Sequence, residues 1–98
     1  MEYPEPKENQ FTIYSKSGCI NCNKVKKLLK DKSITFETID CDDFLYENKE
    51  AFLNFIELKA GKQCKMFPMV FDSKVFIGGY EETYKYIEQI LDFDYSFI

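Results

Sequence analysis

Two cysteines that are two residues apart stand where a strand pattern gives way to a helix pattern, and this junction constrains the fold most. The motif is Cys19-Ile20-Asn21-Cys22. Residues 11–14 before it alternate apolar and polar side chains, which is typical of a strand. Residues 21–31 after it carry apolar side chains at helical spacing. A Cys-x-x-Cys motif beside a strand–helix–strand pattern indicates a dithiol redox site.

Histidine is absent from the 98 residues, whereas cysteine occurs four times. The lack of histidine excludes Cys–His and Ser–His nucleophile pairs, histidine-ligated metals and haem. Cysteine is then the obvious side chain for chemistry near neutral pH. The length suits one domain spanning residues 1–98, and 45% hydrophobic residues are enough to build a core.

The charge balance limits the classes of partner that the chain can bind. A net charge of -4 repels phosphate backbones, so we expect no nucleic-acid binding. No apolar run is long enough to span a membrane, and residues 1–10 lack the basic start and apolar stretch of a signal peptide. We therefore expect a cytoplasmic monomer without membrane contact. Because that compartment keeps thiols reduced, two structural disulfides are not expected.

Strand and helix patterns continue along the rest of the chain. They predict a strand at 34–39, a helix around 52–56 that ends at Gly61, a hairpin of strands 67–71 and 75–77, and a helix around 84–91. The resulting order is β-α-β-α-β-β-α, in which the first two strands are parallel and the hairpin is antiparallel. This order predicts an α/β protein with the thioredoxin fold, a four-stranded mixed sheet flanked by three helices.

The two ends of the chain carry no motif. Residues 1–9 form a polar leader with two prolines, which we expect to fray. Residues 92–98 form an acidic, aromatic tail that either packs on the domain, frays or serves as a docking peptide.

The position of Cys19 favours its thiolate. Cys19 lies at a helix start, where unpaired N–H groups and the positive end of the helix dipole stabilise negative charge, and Lys16 adds positive charge nearby. Sites of this kind lower a thiol pKa from about 8.5 to roughly 3.5–7.5. Since thiolate is the attacking species, we expect Cys19 to be the nucleophile and Cys22 the resolving thiol.

Half of a structural zinc site is the alternative interpretation of the motif. Such a site needs four cysteine ligands, normally as two Cys-x-x-Cys pairs, and Cys41 and Cys64 form no second pair. A redox role is therefore favoured, no metal site is predicted, and Cys41 and Cys64 are interpreted as small buried or loop residues.

Three segments together resemble the glutaredoxin family. Residues 11–29 read FTIYSKSGCINCNKVKKLL and are similar to the opening of a glutaredoxin. Phe67-Pro68 resembles the family's Val-Pro segment, in which the proline is cis. Phe76-Ile77-Gly78-Gly79 resembles its last strand and paired glycines. The resemblance covers about residues 10–91.

The resemblance implies a glutathione-dependent thiol–disulfide oxidoreductase acting on protein disulfides and on glutathionylated proteins. By position, Lys16 would face the glycine carboxylate of glutathione, and Asn21 stands where an aromatic residue flanks it. Phe67 would pair with the glutathione cysteine through its backbone, and Pro68 would press against the two active-site cysteines. The turn Gly79-Tyr80-Glu81-Glu82 would offer N–H groups to the γ-glutamyl carboxylate.

Several positions depart from the family pattern. Ile20 and Asn21 replace a Pro-Tyr pair, which changes the rigidity of the helix start. Glu81 and Glu82 place extra acid near an anionic ligand, and nearby Lys65 offsets part of it. Met66 replaces a threonine, and the stretch 41–64 is longer than expected.

Three other functions remain open at this point. The first is a thioredoxin-like electron donor, for example to ribonucleotide reductase, that is served by a reductase instead of glutathione. The second is a carrier of a [2Fe–2S] cluster held between two chains by Cys19 and two glutathione thiols. The third is a non-catalytic interaction module, in which Cys19 would have ordinary thiol reactivity.

Overall fold

A four-stranded mixed sheet with strand order β2-β1-β3-β4 forms the centre of the computed structural model, which describes the backbone of residues 2–95 and the side chains of residues 2–90. The elements are β1 (Phe11–Ser15), α1 (Ile20–Asp31), β2 (Phe36–Asp40), α2 (Asp42–Ala60), β3 (Met69–Asp72), β4 (Val75–Gly78) and α3 (Tyr80–Tyr95). The order and number of elements match the expected thioredoxin fold, which is confirmed.

The strand β1 lies in the middle of the sheet and pairs with two neighbours. It is parallel to β2, with Phe11 opposite Phe36. It is antiparallel to β3, with Thr12 opposite Phe71, and β3 and β4 form the antiparallel hairpin. Every residue of β1 is buried, and the strand ends at Ser15, so it delivers the following loop to one edge of the sheet.

Helices cover both faces of the sheet because the side chains of β1 alternate between them. On one face, Ile13 packs with Val25 of α1 and Ile87 of α3. On the other face, Tyr14 packs with Phe52 and Ile56 of α2. Both faces of the sheet are therefore covered by buried apolar side chains. This burial on two faces explains why a chain of this length can form a stable sheet.

The polar leader does not fray over its described part, so that expectation was wrong. The Tyr3 ring packs against Phe44, Phe52 and Phe55, with ring centroids 5.1–5.3 Å apart. The hydroxyl of Tyr14 donates a hydrogen bond to the Pro4 carbonyl, with 2.6 Å between the oxygens. Apolar burial and this bond together hold the leader against α2 and β1.

The helix α2 is longer than expected and contains a kink at Asn48. Its backbone leaves the helical region there, with φ -160° and ψ 84°. The side chain of Asn48 accepts a hydrogen bond from the N–H of Ala51 at 3.1 Å, as an N-cap residue does. The helix therefore restarts after Asn48, and it ends as predicted at Gly61, whose φ of 79° suits glycine.

The last predicted helix begins earlier than its apolar pattern indicated. It starts at Tyr80, directly after Gly79, and runs to Tyr95. The expected aromatic tail at 92–98 therefore overlaps this helix, and its side chains lie outside the described residues. No helix within residues 2–95 is both long and apolar enough to cross a bilayer.

Candidate active site

The two motif cysteines lie at the first turn of α1 and are joined by a disulfide, with their Cα atoms 5.2 Å apart. Cys19 is the N-cap residue, and its sulfur accepts a hydrogen bond from the N–H of Cys22 at 3.1 Å. Cys22 is fully buried, whereas Cys19 is half-buried and Ile20 beside it is exposed. This geometry leaves Cys19 as the sulfur that a substrate reaches first.

The loop between β1 and α1 is tied to the start of α2. The Ser17 N–H donates to Asp42 Oδ1 at 2.9 Å, and the Ser17 hydroxyl donates to Asp42 Oδ2. These bonds from Ser17 lower the pKa of the Asp42 carboxyl, and the positive charge of Lys16 adds to the effect. A loop held in this way presents Lys16 and Cys19 in a defined arrangement.

Lys16 points across the loop toward the segment before β3. Its Nζ lies 5.5 Å from the centroid of the Phe67 ring. The Phe67–Pro68 peptide bond is cis, as the resemblance implied, and Pro68 is buried. A lysine over an aromatic face is attracted by the ring quadrupole, so this contact links the Cys19 loop to the cis-proline segment.

A cleft of about 400 Å³ lies beside the cysteine turn. It is lined by Asn21, Lys24, Met66, Phe67, Pro68, Gly79, Tyr80, Glu81 and Glu82. The structure thus brings together every residue that the resemblance assigned to glutathione except Lys16, which lines a neighbouring cavity with Ser17 and Asp40. The lining comes from α1, the cis-proline segment and the start of α3, which meet at this edge of the sheet.

The start of α3 already holds a carboxylate of its own. Glu82 Oε1 accepts a hydrogen bond from the Gly79 N–H at 2.9 Å. Gly78 has φ 135°, and a Cβ there would lie 2.7 Å from the Cβ of Glu82, so only glycine lets the Glu82 side chain pass. The Glu82 carboxylate therefore already accepts a hydrogen bond from one of the N–H groups that an anionic ligand would use.

Sequence reasoning missed two residues of this region. Lys24 lines the cleft, with Nζ 5.7 Å from the centroid of the Tyr80 ring, but no signal separates it from the other lysines of α1. Asp42 lies in the acidic turn 40–43, where no motif distinguishes it from the neighbouring carboxylates. Within that turn, Asp40 Oδ1 accepts the Asp42 N–H at 3.0 Å.

The other two cysteines are buried, as the sequence indicated. Burial raises the pKa of the Cys41 thiol to about 12, and burial also raises the pKa of Cys64. Both thiols donate weakly to nearby backbone carbonyls, Cys41 to Ile39 and Cys64 to Lys62. Neither thiol is activated, and the described residues contain no cluster of three or more potential metal ligands.

Comparison with known proteins agrees with this geometry. The glutaredoxin family model matches residues 11–77. Glutaredoxin 1 of Rickettsia felis is 36% identical over 67 residues, which is 68% of this chain and 61% of that protein. The match thus spans less than two thirds of that relative.

Solved structures show the same fold. Glutaredoxin 1 from Francisella tularensis, complexed with cacodylate, superposes with a TM-score of 0.73 at 25% identity, covering 85% of this chain and 96% of that one. A buckwheat glutaredoxin–glutathione complex superposes with a TM-score of 0.66 at 24% identity, covering 81% and 68%. With the matched family model, the shared fold and the Cys-x-x-Cys turn at the start of α1, the chain belongs to the glutaredoxin family.

Proposed function

We propose that this chain is a glutathione-dependent thiol–disulfide oxidoreductase that reduces protein disulfides and protein–glutathione mixed disulfides. The observation that carries the proposal is the place of the half-buried Cys19, beside the cleft at the cis-proline segment. Its sulfur accepts a hydrogen bond from the Cys22 N–H. A backbone N–H and a helix start both favour the thiolate, which is the attacking form. The reducing cytoplasm suits this chemistry. The chain would act there as a monomer.

With a glutathionylated protein, Cys19 does the chemistry alone. The Cys19 thiolate attacks the glutathione sulfur, the mixed disulfide breaks, and the protein thiolate leaves and takes up a proton. Cys19 then carries glutathione in a new disulfide. A second glutathione thiolate attacks the glutathione sulfur of that disulfide, which releases oxidised glutathione and returns the Cys19 thiolate.

With a protein disulfide, Cys22 takes part as well. The Cys19 thiolate attacks one substrate sulfur and forms a mixed disulfide, while the other substrate sulfur leaves as a thiol. Cys22 then attacks the sulfur of Cys19, which releases the second substrate thiol and closes the Cys19–Cys22 bridge. Two glutathione molecules reduce the bridge and become oxidised glutathione.

The cleft supplies the binding groups in this proposal. The Phe67 backbone would pair with the glutathione cysteine, and Pro68 would hold that pair against Cys19. The Lys16 ammonium would meet the glycine carboxylate, and Asn21 would flank the peptide. Tyr80, Glu81 and Glu82 would provide the first-turn N–H groups of α3 to the γ-glutamyl carboxylate, because unpaired N–H groups at a helix start attract anions.

Turnover coupled to glutathione and glutathione reductase tests the proposal directly. The wild-type protein should reduce both a glutathionylated peptide and a protein disulfide. The Cys22→Ser variant should keep the first activity and lose most of the second, whereas Cys19→Ser should lose both. Retained dithiol turnover in Cys22→Ser would contradict the role of Cys22, and activity of Cys19→Ser would contradict the mechanism.

A second candidate is a thioredoxin-like electron donor, and the contact between Glu82 and Gly79 favours it. A carboxylate at the α3 start weakens the case for an anionic reductant at that point. Such a donor would be reduced by a flavin-dependent reductase rather than by glutathione. Turnover that fails with glutathione but proceeds with thioredoxin reductase and NADPH would select this candidate.

A [2Fe–2S] cluster held between two chains is a third candidate, and no observation favours it. Each chain would contribute Cys19, with two glutathione thiols as the other ligands, and the bulky, exposed Ile20 adjoins Cys19. No step of the proposed mechanism passes through a cluster.

A further inference from the structure

The carboxylate of Asp42 receives two hydrogen bonds from a single residue of the active-site loop. Its Oδ1 accepts the Ser17 N–H at 2.9 Å, and its Oδ2 accepts the Ser17 hydroxyl. Asp42 is the first residue of α2, and its side chain is only partly exposed. The bidentate contact fixes both the backbone and the side chain of Ser17, and it joins residues 25 positions apart in the chain.

A backbone hydrogen bond also joins the end of β1 to the residue before α2. The N–H of Cys41, which precedes Asp42, donates to the carbonyl of Ser15 at 2.8 Å. Lys16 is therefore held between two anchored neighbours, Ser15 and Ser17. Because α2 packs on the buried face of the sheet through Phe52 and Ile56, both anchors rest on a rigid element.

The loop needs such an anchor because Gly18 follows it. Gly18 has φ 71° and no heavy atom within 4 Å of the position that a Cβ would take. A glycine in open space restrains the backbone little. Without the bonds to Asp42, nothing in the geometry of Gly18 itself would fix the path from Ser15 to Cys19.

We infer that Asp42 is a positioning residue of the active site, which holds Ser17 so that Lys16 and Cys19 face the substrate in a reactive arrangement. Asp42 does not line the cleft, and the hydrogen bonds that its carboxylate accepts come from Ser17. It acts through Ser17, and its effect reaches Lys16, whose ammonium lies over the Phe67 ring. The inference concerns the reactivity of the Cys19 thiol itself, so it stands or falls separately from the proposed use of glutathione.

The charged groups near the loop decide how the test is designed. Lys16, Lys26 and Asp40 line the cavity beside Ser17. Removing the Asp42 charge alone would make this region more positive and favour the Cys19 thiolate. Releasing the loop would have the opposite effect, because Cys19 and the Lys16 ammonium, which lies over the Phe67 ring, would lose their fixed arrangement. The two roles of Asp42 therefore predict changes of opposite sign.

Alkylation of Cys19 by iodoacetamide across pH 4–10 measures this difference. The variants are made in a Cys22→Ser background and the modified Cys19 peptide is quantified by mass spectrometry. Ser17→Ala and Asp42→Ala should move the midpoint of the rate profile up by about 0.5–1 pH unit and slow the reaction at pH 7 about 3- to 10-fold. Asp42→Asn keeps an acceptor for the Ser17 N–H and removes only the charge, so its reaction at pH 7 should be no slower than that of the parent.

Asp43→Asn is the matched control, since Asp43 is the exposed carboxylate next along the same helical turn. Its profile should coincide with that of the parent. If Ser17→Ala and Asp42→Ala also coincide with the parent while their unfolding midpoints fall, Asp42 has a structural role only and the inference is wrong. A downward shift in Asp42→Ala, which is the sign that loss of charge alone predicts, would overturn it too. Should Asp42→Ala fail to fold, Ser17→Ala decides.

Discussion

Glu82 Oε1 lies 2.9 Å from the backbone nitrogen of Gly79 and accepts its N–H, so a side chain of α3 caps the start of its own helix. Glu82 is the third residue of that helix, and a glutamate at this position commonly reaches back to the N-cap N–H. Glu81 is also in the first turn, so the helix start carries two negative groups where the proposed function needs to bind one more.

Glu82→Gln should therefore lower the KM for glutathione. The substitution removes a negative charge a few ångströms from the proposed carboxylate position and keeps an oxygen that can accept the Gly79 N–H. One charge at that distance is worth about 1 kcal/mol in a well-solvated site, which corresponds to a decrease of about fivefold. Steady-state kinetics with varied glutathione and a fixed glutathionylated peptide measure it.

Glu82→Ala and Glu81→Gln separate charge from the hydrogen bond. Glu81→Gln removes charge only, whereas Glu82→Ala also frees the Gly79 N–H and should give the largest decrease in KM. In the wild-type protein, added salt should lower the KM because it screens the repulsion. A KM that rises in Glu82→Gln would mean that Glu82 assists glutathione binding. It would contradict the expectation that the Glu82 carboxylate repels glutathione at the start of α3.

Tyr3→Ala should destabilise the fold although Tyr3 lies in a polar leader. The Tyr3 ring makes three aromatic contacts with α2, to Phe44, Phe52 and Phe55. Loss of a partly buried aromatic ring should lower the free energy of unfolding by about 1–3 kcal/mol. Urea unfolding measures this, and Tyr46→Ala is the control because the Tyr46 side chain is 91% exposed. Equal stability of the two variants would contradict the packed leader.

The leader also shows what the sequence could not reveal. The strand and helix patterns are local, since they depend on spacings of two to four residues, and they placed all seven elements in order. Tyr3 contacts residues more than 40 positions away, and the surrounding prolines and glutamates conceal its role. A single tyrosine in a polar segment carries no periodicity, so fraying was the reasonable expectation.

The same distinction holds at the active site. Cys19, Cys22 and the Phe67–Pro68 segment were predicted because each belongs to a short motif. Lys24 and Asp42 reach the site only through the packing of α1 and α2 on the sheet, so residue spacing does not single them out. The roles of the glutathione residues remain predictions, although most of them line one cleft.

Asn48→Ala should destabilise the protein even though Asn48 is exposed within a helix. Asn48 interrupts α2 and caps the part that follows by accepting the Ala51 N–H at 3.1 Å. Loss of an N-cap side chain costs about 1 kcal/mol, whereas alanine in an uninterrupted helix would be favourable. Asn54→Ala, at an exposed position without a break in the helix, is the control and should be neutral or slightly stabilising. An increase in stability for Asn48→Ala would contradict the cap.

The stability of the fold should decrease at alkaline pH in a way that depends on Tyr86. The Tyr86 hydroxyl donates a hydrogen bond to Asp72 Oδ2 at 2.5 Å, and this contact joins α3 to the end of β3. The bond to the carboxylate, together with burial, raises the pKa of Tyr86 to about 12. A tyrosine in the unfolded chain has a pKa near 10.

The sign of the effect follows from proton binding. Between about pH 10 and 12 the folded protein keeps the Tyr86 proton while the unfolded chain loses it, so unfolding becomes easier as the pH rises. The contribution of the hydrogen bond is fully present below pH 10 and disappears as the pH passes 12. Tyr86→Phe lacks both the bond and the titrating group. It should be less stable than wild type at pH 8, by about 1–2 kcal/mol.

Urea unfolding of wild type and Tyr86→Phe from pH 8 to 11.5 checks this expectation. The difference between the two proteins should be constant up to about pH 10 and then shrink, since only the wild type loses this contribution. The Cys41 thiol, whose pKa burial raises to about 12, is present in both proteins, so its contribution cancels in the difference. Tyr46→Phe, at an exposed position, should follow the wild type throughout. A difference that stays constant to pH 11.5 would mean that the contact with Asp72 does not hold the Tyr86 proton.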